Sequence, residues 1–189
     1  MTYSRRVLRD VLVRLKESGV DGVIIGSTVL MIYLNLDEFE DDLDIFVVNF
    51  SPYSNEDLVR SIAARLGCEL SQSGWGTPAL YCMFNGDEVV VELHENVLDF
   101  YIPNEVIKSS REFKLLDIKV RHITLEDYIV LKARAGREHD LEDLNIISDI
   151  VRKGDLKVNI NAIKDRIRWV FPDEERLLLN RLRQAGFKV

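Results

Sequence analysis

The sequence predicts an α+β fold: a mixed β-sheet flanked by helices over residues 1–123, with a helical region over residues 124–189 packed on that core. Three observations lead there. Short apolar runs with strand character (VDGVIIGS, DLDIFVV, EVVVELH) interleave with runs of helical spacing up to about residue 123. From Thr124 onward only helical spacing recurs. At the switches between runs stand Ser, Thr and Asn ahead of helices and Gly behind them.

Taken in order, Val7, Leu8, Val11, Leu12 and Leu15 define an amphipathic helix from about Ser4 to Ser18, stopped at Gly19. VDGVIIGS is a buried strand entering a turn, and Ser27 or Thr28 is the expected cap of the helix TVLMIYLNL. An acidic loop, DEFEDD, leads into the strand DLDIFVV. Ser54 or Asn55 caps a helix that ends at Gly67, and strands follow from Cys68 to His94, joined through the Asn85-Gly86 hairpin signal. A short helix near Asn104–Ser109 and a ribbon over REFKLLDIKVRHI complete the first part. Thr124 caps TLEDYIVLKARAG, with Asp127 at the third helical position. HDLEDLNIISDIVRKG is a second helix, and two more are separated near Phe171-Pro172-Asp173.

Composition narrows the function classes. With 47% hydrophobic and 30% charged residues the chain is globular, and charge-rich enough to suit a heat-adapted protein. A net charge of −7 argues against a broad nucleic-acid surface, which rests on clustered Lys and Arg. No apolar run reaches the length of a membrane span, and the amino terminus lacks a signal-type apolar stretch. Cys68 and Cys82 form no CxxC pair, so free thiols in a reducing, cytoplasmic compartment are expected. Leu177, Leu178, Leu179 and Leu182 of the last helix pack on the body or offer a homodimer or partner-protein face.

The chemistry concentrates in one stretch. Asp42 and Asp44 are two apart on a strand, so they share a face about 6.6 Å apart at Cα. Two such carboxylates can converge on Mg²⁺, which favours carboxylate oxygens together with substrate phosphates. A solvated strand end is the plain alternative. Upstream, Gly26-Ser27 joins an apolar strand to a helix, where glycine permits close backbone approach to a phosphate and helix N–H groups face outward. Strand, Gly-Ser, helix and Asp-x-Asp strand in that order bring a phosphate cradle and a metal site to adjacent strand ends. Trp75, in the turn SGWGTP, either stacks a base or closes its loop on the core; the second is the commoner use.

The run IIGSTVLMIYLNLDEFEDDLDIFVV resembles the signature of the DNA polymerase β-like nucleotidyltransferase superfamily, and looks closest to its minimal nucleotidyltransferases and AbiEii-type proteins. The resemblance implies a nucleotidyltransferase fold. It also implies Mg²⁺ (or Mn²⁺) on Asp42 and Asp44, and a nucleoside triphosphate gripped by Gly26 and Ser27. Glu40 stands where many members have Ser or Thr, and the interval from Ser27 to Asp42 is longer than the commonest one. The superfamily's third carboxylate falls on Glu92, within VVVELHENVLDFY, as metal ligand and base, with Asp99 second choice and His94 a bystander on the same face as Glu92. An exposed edge-strand Glu is the alternative for Glu92.

A further stretch, LEDYIVLKARAGREHDLEDL, is similar to a segment of related nucleotidyltransferases, which implies that Lys132 and Arg137 neutralise triphosphate charge and Asp140 orients one of them. A helix–helix corner held by charges explains the same residues. The resemblance thus implies transfer of a nucleotidyl group to a protein, a tRNA or a small molecule, within a toxin–antitoxin pair in some minimal members. A silent domain that binds nucleotide or a partner protein, and a metal-dependent phosphohydrolase, are the rival readings.

Overall fold

The computed structural model describes residues 2–97 and 100–189. The chain divides into two compact units, Met1–Ile102 with Ile107–Ile123, and Pro103–Val106 with Thr124–Val189.

The first unit begins with a strand, β1 (Thr2–Ser4), and the amphipathic α1 (Arg5–Glu17), whose first turn is capped by the Ser4 hydroxyl accepting from the Val7 N–H. Helix α1 buries Val7, Leu8, Val11 and Leu15. Then come β2 (Gly22–Ile24), α2 (Ser27–Tyr33), β3 (Glu38–Glu40) and β4 (Leu43–Val47). Helix α3 (Glu56–Leu66) ends at Gly67, left-handed at φ 72°. The strands β5 (Glu69–Gln72), β6 (Pro78–Phe84) and β7 (Asp87–His94) follow, the last two joined by Asn85 and Gly86 at φ 55° and 94°, the pair of positive values a tight hairpin turn demands. Strands β8 (Arg111–Leu115) and β9 (Ile118–His122) form the ribbon, and α4 (Asn104–Lys108), most of which belongs to the second unit, precedes it in the chain.

Among the described residues seven strands form one mixed sheet in the order β5-β6-β7-β4-β2-β9-β8. Strand β4 runs antiparallel to β2 and parallel to β7, with Asp44 opposite Glu92. Near-continuous burial marks these central strands: Leu43, Ile45 and Val47 in β4 and Val89, Val90, Val91 and Leu93 in β7 are all buried.

Three local expectations change. The acidic loop contains a strand, β3, paired antiparallel with β1, and Phe39 is fully buried against Tyr3, with ring centroids 5.9 Å apart. Three-residue strands carry almost no periodic signal, and their partner lies 36 or so residues away. Helix α2 is preceded by Gly26, not capped by a Ser27 or Thr28 side chain: Ser27 is already helical and Thr28 fully buried. The thiols are not free: Cys68 and Cys82 are joined in a disulfide. Glu69 pairs with Tyr81, so the residues one step outward, Cys68 and Cys82, face each other across the β5–β6 ladder. A spacing of fourteen matches no metal motif, but it suits two arms of a hairpin. The inference of a reducing compartment from free thiols falls with it.

The second unit is helical. Helix α5 (Leu125–Ala135) opens with the Thr124 hydroxyl accepting from the Asp127 N–H, and closes at Gly136 in the left-handed conformation. It meets α6 (Glu138–Lys153), α7 (Ile160–Val170) and α8 (Glu175–Gln184), the last two separated by a single 3₁₀ turn at Pro172–Glu174. Ile129, Leu144, Ile147, Ile163, Ile167, Leu178 and Leu182 form its core. Of the leucines read as a packing or dimer face, Leu178 and Leu182 are spent on that core, whereas Leu177 is half exposed. Among the described residues no helix is long and apolar enough to cross a membrane.

Candidate active site

The site is built by the register of two central strands. Pairing Asp44 with Glu92 sets the two carboxylates side by side on one face, while Leu43 and Ile45 on one strand and Val91 and Leu93 on the other point into the core. His94, two residues beyond Glu92, shares that face and is almost fully buried. Its Nε2 lies 2.8 Å from Asp44 Oδ1 and 3.2 Å from Glu92 Oε2. Among the described residues, Asp44, Glu92 and His94 form a group whose ligand atoms all fall within 4.8 Å of one another. Asp42 stands one residue ahead of β4, half buried.

Gly26 closes the site from the neighbouring strand. Strand β2 leads to it, and the Ile25 N–H donates to the Asp44 carbonyl at 3.0 Å. Gly26 sits at φ 68°, and a Cβ there would fall 1.8 Å from Asp44 Oδ2. Both the backbone conformation and the carboxylate therefore demand glycine. Ser27, the first residue of α2, follows it directly.

Negative charge dominates. Burial first, then the charges of Glu92, Asp44 and Asp41, push the Asp42 carboxyl up from 3.8 to about 6. Burial opposes charge on His94, but hydrogen bonds from its ring to Asp44 and Glu92, and their charges, outweigh that opposition and raise its pKa to about 9. Burial first, and then the charges of Asp44, Asp42 and Asp41, push the Tyr3 hydroxyl up to about 12, a lowering contact with Thr28 notwithstanding. The imidazolium of His94 thus bridges two carboxylates, and Asp42 is left strained by like charge.

That donor set suits a divalent cation. Three carboxylates gather where burial makes their repulsion costly, beside a glycine whose missing side chain leaves Asp44 accessible from the α2 side. Hard oxygen ligands of this kind are those that Mg²⁺ and Mn²⁺ take.

Behind His94 lies a supporting shell. Its Nδ1 faces the hydroxyl of the buried Thr77 at a long 3.4 Å, and Thr77 Oγ1 meets Ser73 Oγ at 2.8 Å. The ring stacks on Phe100 at 4.7 Å, and Phe100 in turn contacts Trp75 at 5.8 Å. Trp75 remains 39% exposed, so its loop closes only partly on the core.

Asp99 falls outside the described residues. Lys132 and Arg137 belong to the second unit. Lys132 Nζ sits 2.9 Å from Asp140 and 2.7 Å from Asp143, and Arg137 Nε sits 2.6 Å from Asp140, whose side chain is wholly buried. Burial works against the Lys132 charge, yet the Tyr128, Asp143 and Asp140 contacts raise its pKa. Asp140 is likewise held below its ordinary value by Arg137 and Lys132 despite burial. Asp140 orients both cations at the α5–α6 corner. Sequence reading set His94 aside. The signal that could have drawn it in was the Glu92-x-His94 spacing, which puts both on the face that Asp44 shares once the register is known.

Comparison with known proteins agrees with this architecture. No curated protein matches the chain. Among solved structures, it is similar to an antigenic nucleotidyltransferase-like protein from Paracoccidioides brasiliensis, with 17% identity, TM-score 0.54, and 95% of each chain covered. It is also similar to a protein from H. pylori named as a candidate nucleotidyltransferase, with 14% identity, TM-score 0.51, and 95% of this chain and 90% of that one covered. At such identities the likeness shows the nucleotidyltransferase fold. The family model goes further, because it matches residues 4–184, a span that includes Gly26, the paired strands and both units; the chain belongs to the family described as nucleotidyl transferase of unknown function (DUF2204).

Proposed function

We propose that this chain moves a nucleoside monophosphate group from a nucleoside triphosphate to an acceptor hydroxyl, using a divalent ion, Mg²⁺ or Mn²⁺, held by Asp42, Asp44 and Glu92. The observation that carries the reading is the β4–β7 register, which puts Asp44 against Glu92 beside a glycine that Asp44 itself makes obligatory.

The ion would neutralise triphosphate charge and steady the in-line displacement. Gly26 and Ser27 bring backbone, without an intervening side chain, up to the β- and γ-phosphates. Glu92 accepts the proton of the incoming hydroxyl. A bond forms between the acceptor oxygen and the α-phosphorus, the bond from that phosphorus to the bridging oxygen breaks, and pyrophosphate leaves. Lys132 and Arg137, each already engaged by carboxylates, have a weaker claim on the nucleotide than the two glycine-turn residues.

The acceptor is a protein, a tRNA or a small molecule. The net charge of −7 favours the first and last over RNA. A toxin–antitoxin setting, a homodimer or partner protein, closeness to AbiEii-type proteins and a cytoplasmic location belong to this proposal as well. The disulfide is compatible with the cytosol of heat-adapted organisms, where such bonds persist.

One observation favours a second reading, a silent domain that binds nucleotide or a partner: His94 already bridges Asp44 and Glu92. The deciding experiment measures pyrophosphate release from each of the four NTPs with Mg²⁺ in a lysate of the source organism, for the purified protein and for Asp42→Ala/Asp44→Ala. Release by the first and not the second establishes transfer. No release from either folded protein gives the silent domain, and release of inorganic phosphate alone gives a phosphohydrolase.

A further inference from the structure

The imidazole of His94 is far more buried than the Asp44 and Glu92 carboxylates it meets, and nothing in the transfer chemistry just described uses it. Its position is over-determined for a bystander. Nε2 points between Asp44 Oδ1 and Glu92 Oε2, the two carboxylates nearest each other across the strand pair. The opposite nitrogen faces Thr77 Oγ1, which is itself held by Ser73. Phe100, stacked at 4.7 Å, fixes the plane of the ring. A histidine whose far nitrogen is held by a hydroxyl, and whose near nitrogen converges with two carboxylates, has the arrangement of a metal ligand with an outer shell.

We propose that His94, giving up its Nε2 proton to solvent when the ion enters, is a direct ligand of the divalent ion through that nitrogen, together with Asp44 and Glu92, and that its nitrogen makes the site prefer Mn²⁺ to Mg²⁺. The proposal rests on the metal-assisted reading given above, and it deepens it by assigning a nitrogen donor and an ion. The ligand chemistry supplies the preference. Mg²⁺ takes oxygen almost exclusively and dehydrates reluctantly, whereas imidazole is a good donor to first-row transition ions and Mn²⁺ accepts mixed oxygen and nitrogen sets. The three donor atoms already lie within 4.8 Å of one another, so a small contraction about an ion closes the set.

Electron spin-echo spectroscopy of Mn²⁺ bound to the full chain, without nucleotide, tests this directly. Wild-type protein is compared with protein carrying ¹⁵N only in histidine, a pairing that needs no substitution and so no refolded variant. The expected result is nitrogen modulation that changes with the label. His94→Gln, checked for folding by its melting curve, should lose the modulation and bind Mn²⁺ about tenfold more weakly, with a much smaller change for Mg²⁺. Mn²⁺ bound without nitrogen modulation, or modulation that survives His94→Gln, overturns the assignment while leaving the carboxylate site standing. Failure of wild type to bind Mn²⁺, or equal binding by Asp44→Asn, would instead remove the metal site and this assignment together.

Discussion

Two clusters of charge, one in each unit, are built from the same residue types and differ in how they are balanced. At the α5–α6 corner, Asp140 and Asp143 face Lys132 and Arg137, and every group has an opposite partner within 3 Å. Around β4 and β7, Asp44 and Glu92 share one imidazole, and Asp42 beside them is pushed up to about 6 by burial and by their charges. The first cluster is complete as it stands and holds two helices in place. The second keeps an unmet demand for positive charge, which is what a site that binds a cation and a polyphosphate must retain. The balance of charge separates scaffold from site better than the presence of charge does.

The largest effect expected from this contrast is on turnover. Asp42→Asn/Asp44→Asn should cut pyrophosphate release by about 10³-fold, because charge stabilisation of that kind is worth several kcal/mol. The Asp42→Asn single variant should not lower the melting temperature, since only burial and like charge act on Asp42; a large drop would mean that the cluster is structural and the contrast mistaken. Next comes the opposite case. Asp140→Ala removes from a wholly buried position the carboxylate shared by Arg137 and Lys132, leaving Lys132 only the Asp143 carboxylate, and should destabilise the chain by about 3 kcal/mol, lowering the melting point by about 10 °C.

Acidity sharpens the contrast at smaller amplitude. Asp42 has a raised folded pKa, so stability falls as pH climbs from 3.8 through about 6. His94 is also raised, so its contribution is whole below 6.5 and is lost as pH rises through about 9. Metal-free protein should therefore melt at progressively lower temperature from pH 6.5 to pH 9, above the range in which buried His122, its pKa lowered, adds stability as pH rises. Saturating Mn²⁺ should restore about 2–3 kcal/mol at pH 8 and almost nothing at pH 4. A metal effect equal at both pH values would place the ion elsewhere. The smallest change belongs to Arg137→Ala, whose guanidinium is 45% exposed: about 1 kcal/mol, read in a melting curve.

Much of this was legible in local pattern. The Asn85-Gly86 hairpin and the Thr124 cap follow from neighbours a few residues apart and are where the sequence puts them; the Gly26-Ser27 turn is too, save that Gly26 and not a hydroxyl precedes α2, whereas of the Asp42-x-Asp44 pair only Asp44 lies in a strand and Asp42 stands one residue ahead of it. What was not legible is relational. That Glu92 stands opposite Asp44, that His94 reaches back to both, that Cys68 meets Cys82 and that β1 finds β3 are all facts of register between strands remote in sequence. Periodicity reports which face a residue takes, and it is silent on which strand lies alongside.

The register of β4 against β7 also bears on how such a protein ages in evolution. Leu43, Ile45, Val91 and Leu93 hold that pairing from the core side, and none of them touches the chemistry through its side chain. A one-residue slip would turn the carboxylates inward and the leucines out, so selection for folding alone keeps the strands aligned. Drift can therefore erase Asp42, Glu92 or His94 one at a time in a lineage without unravelling the sheet. The scaffold outlives its chemistry, and lineages that have lost transfer but kept a binding face should share this architecture residue for residue in the core and differ only on the one polar side of two strands.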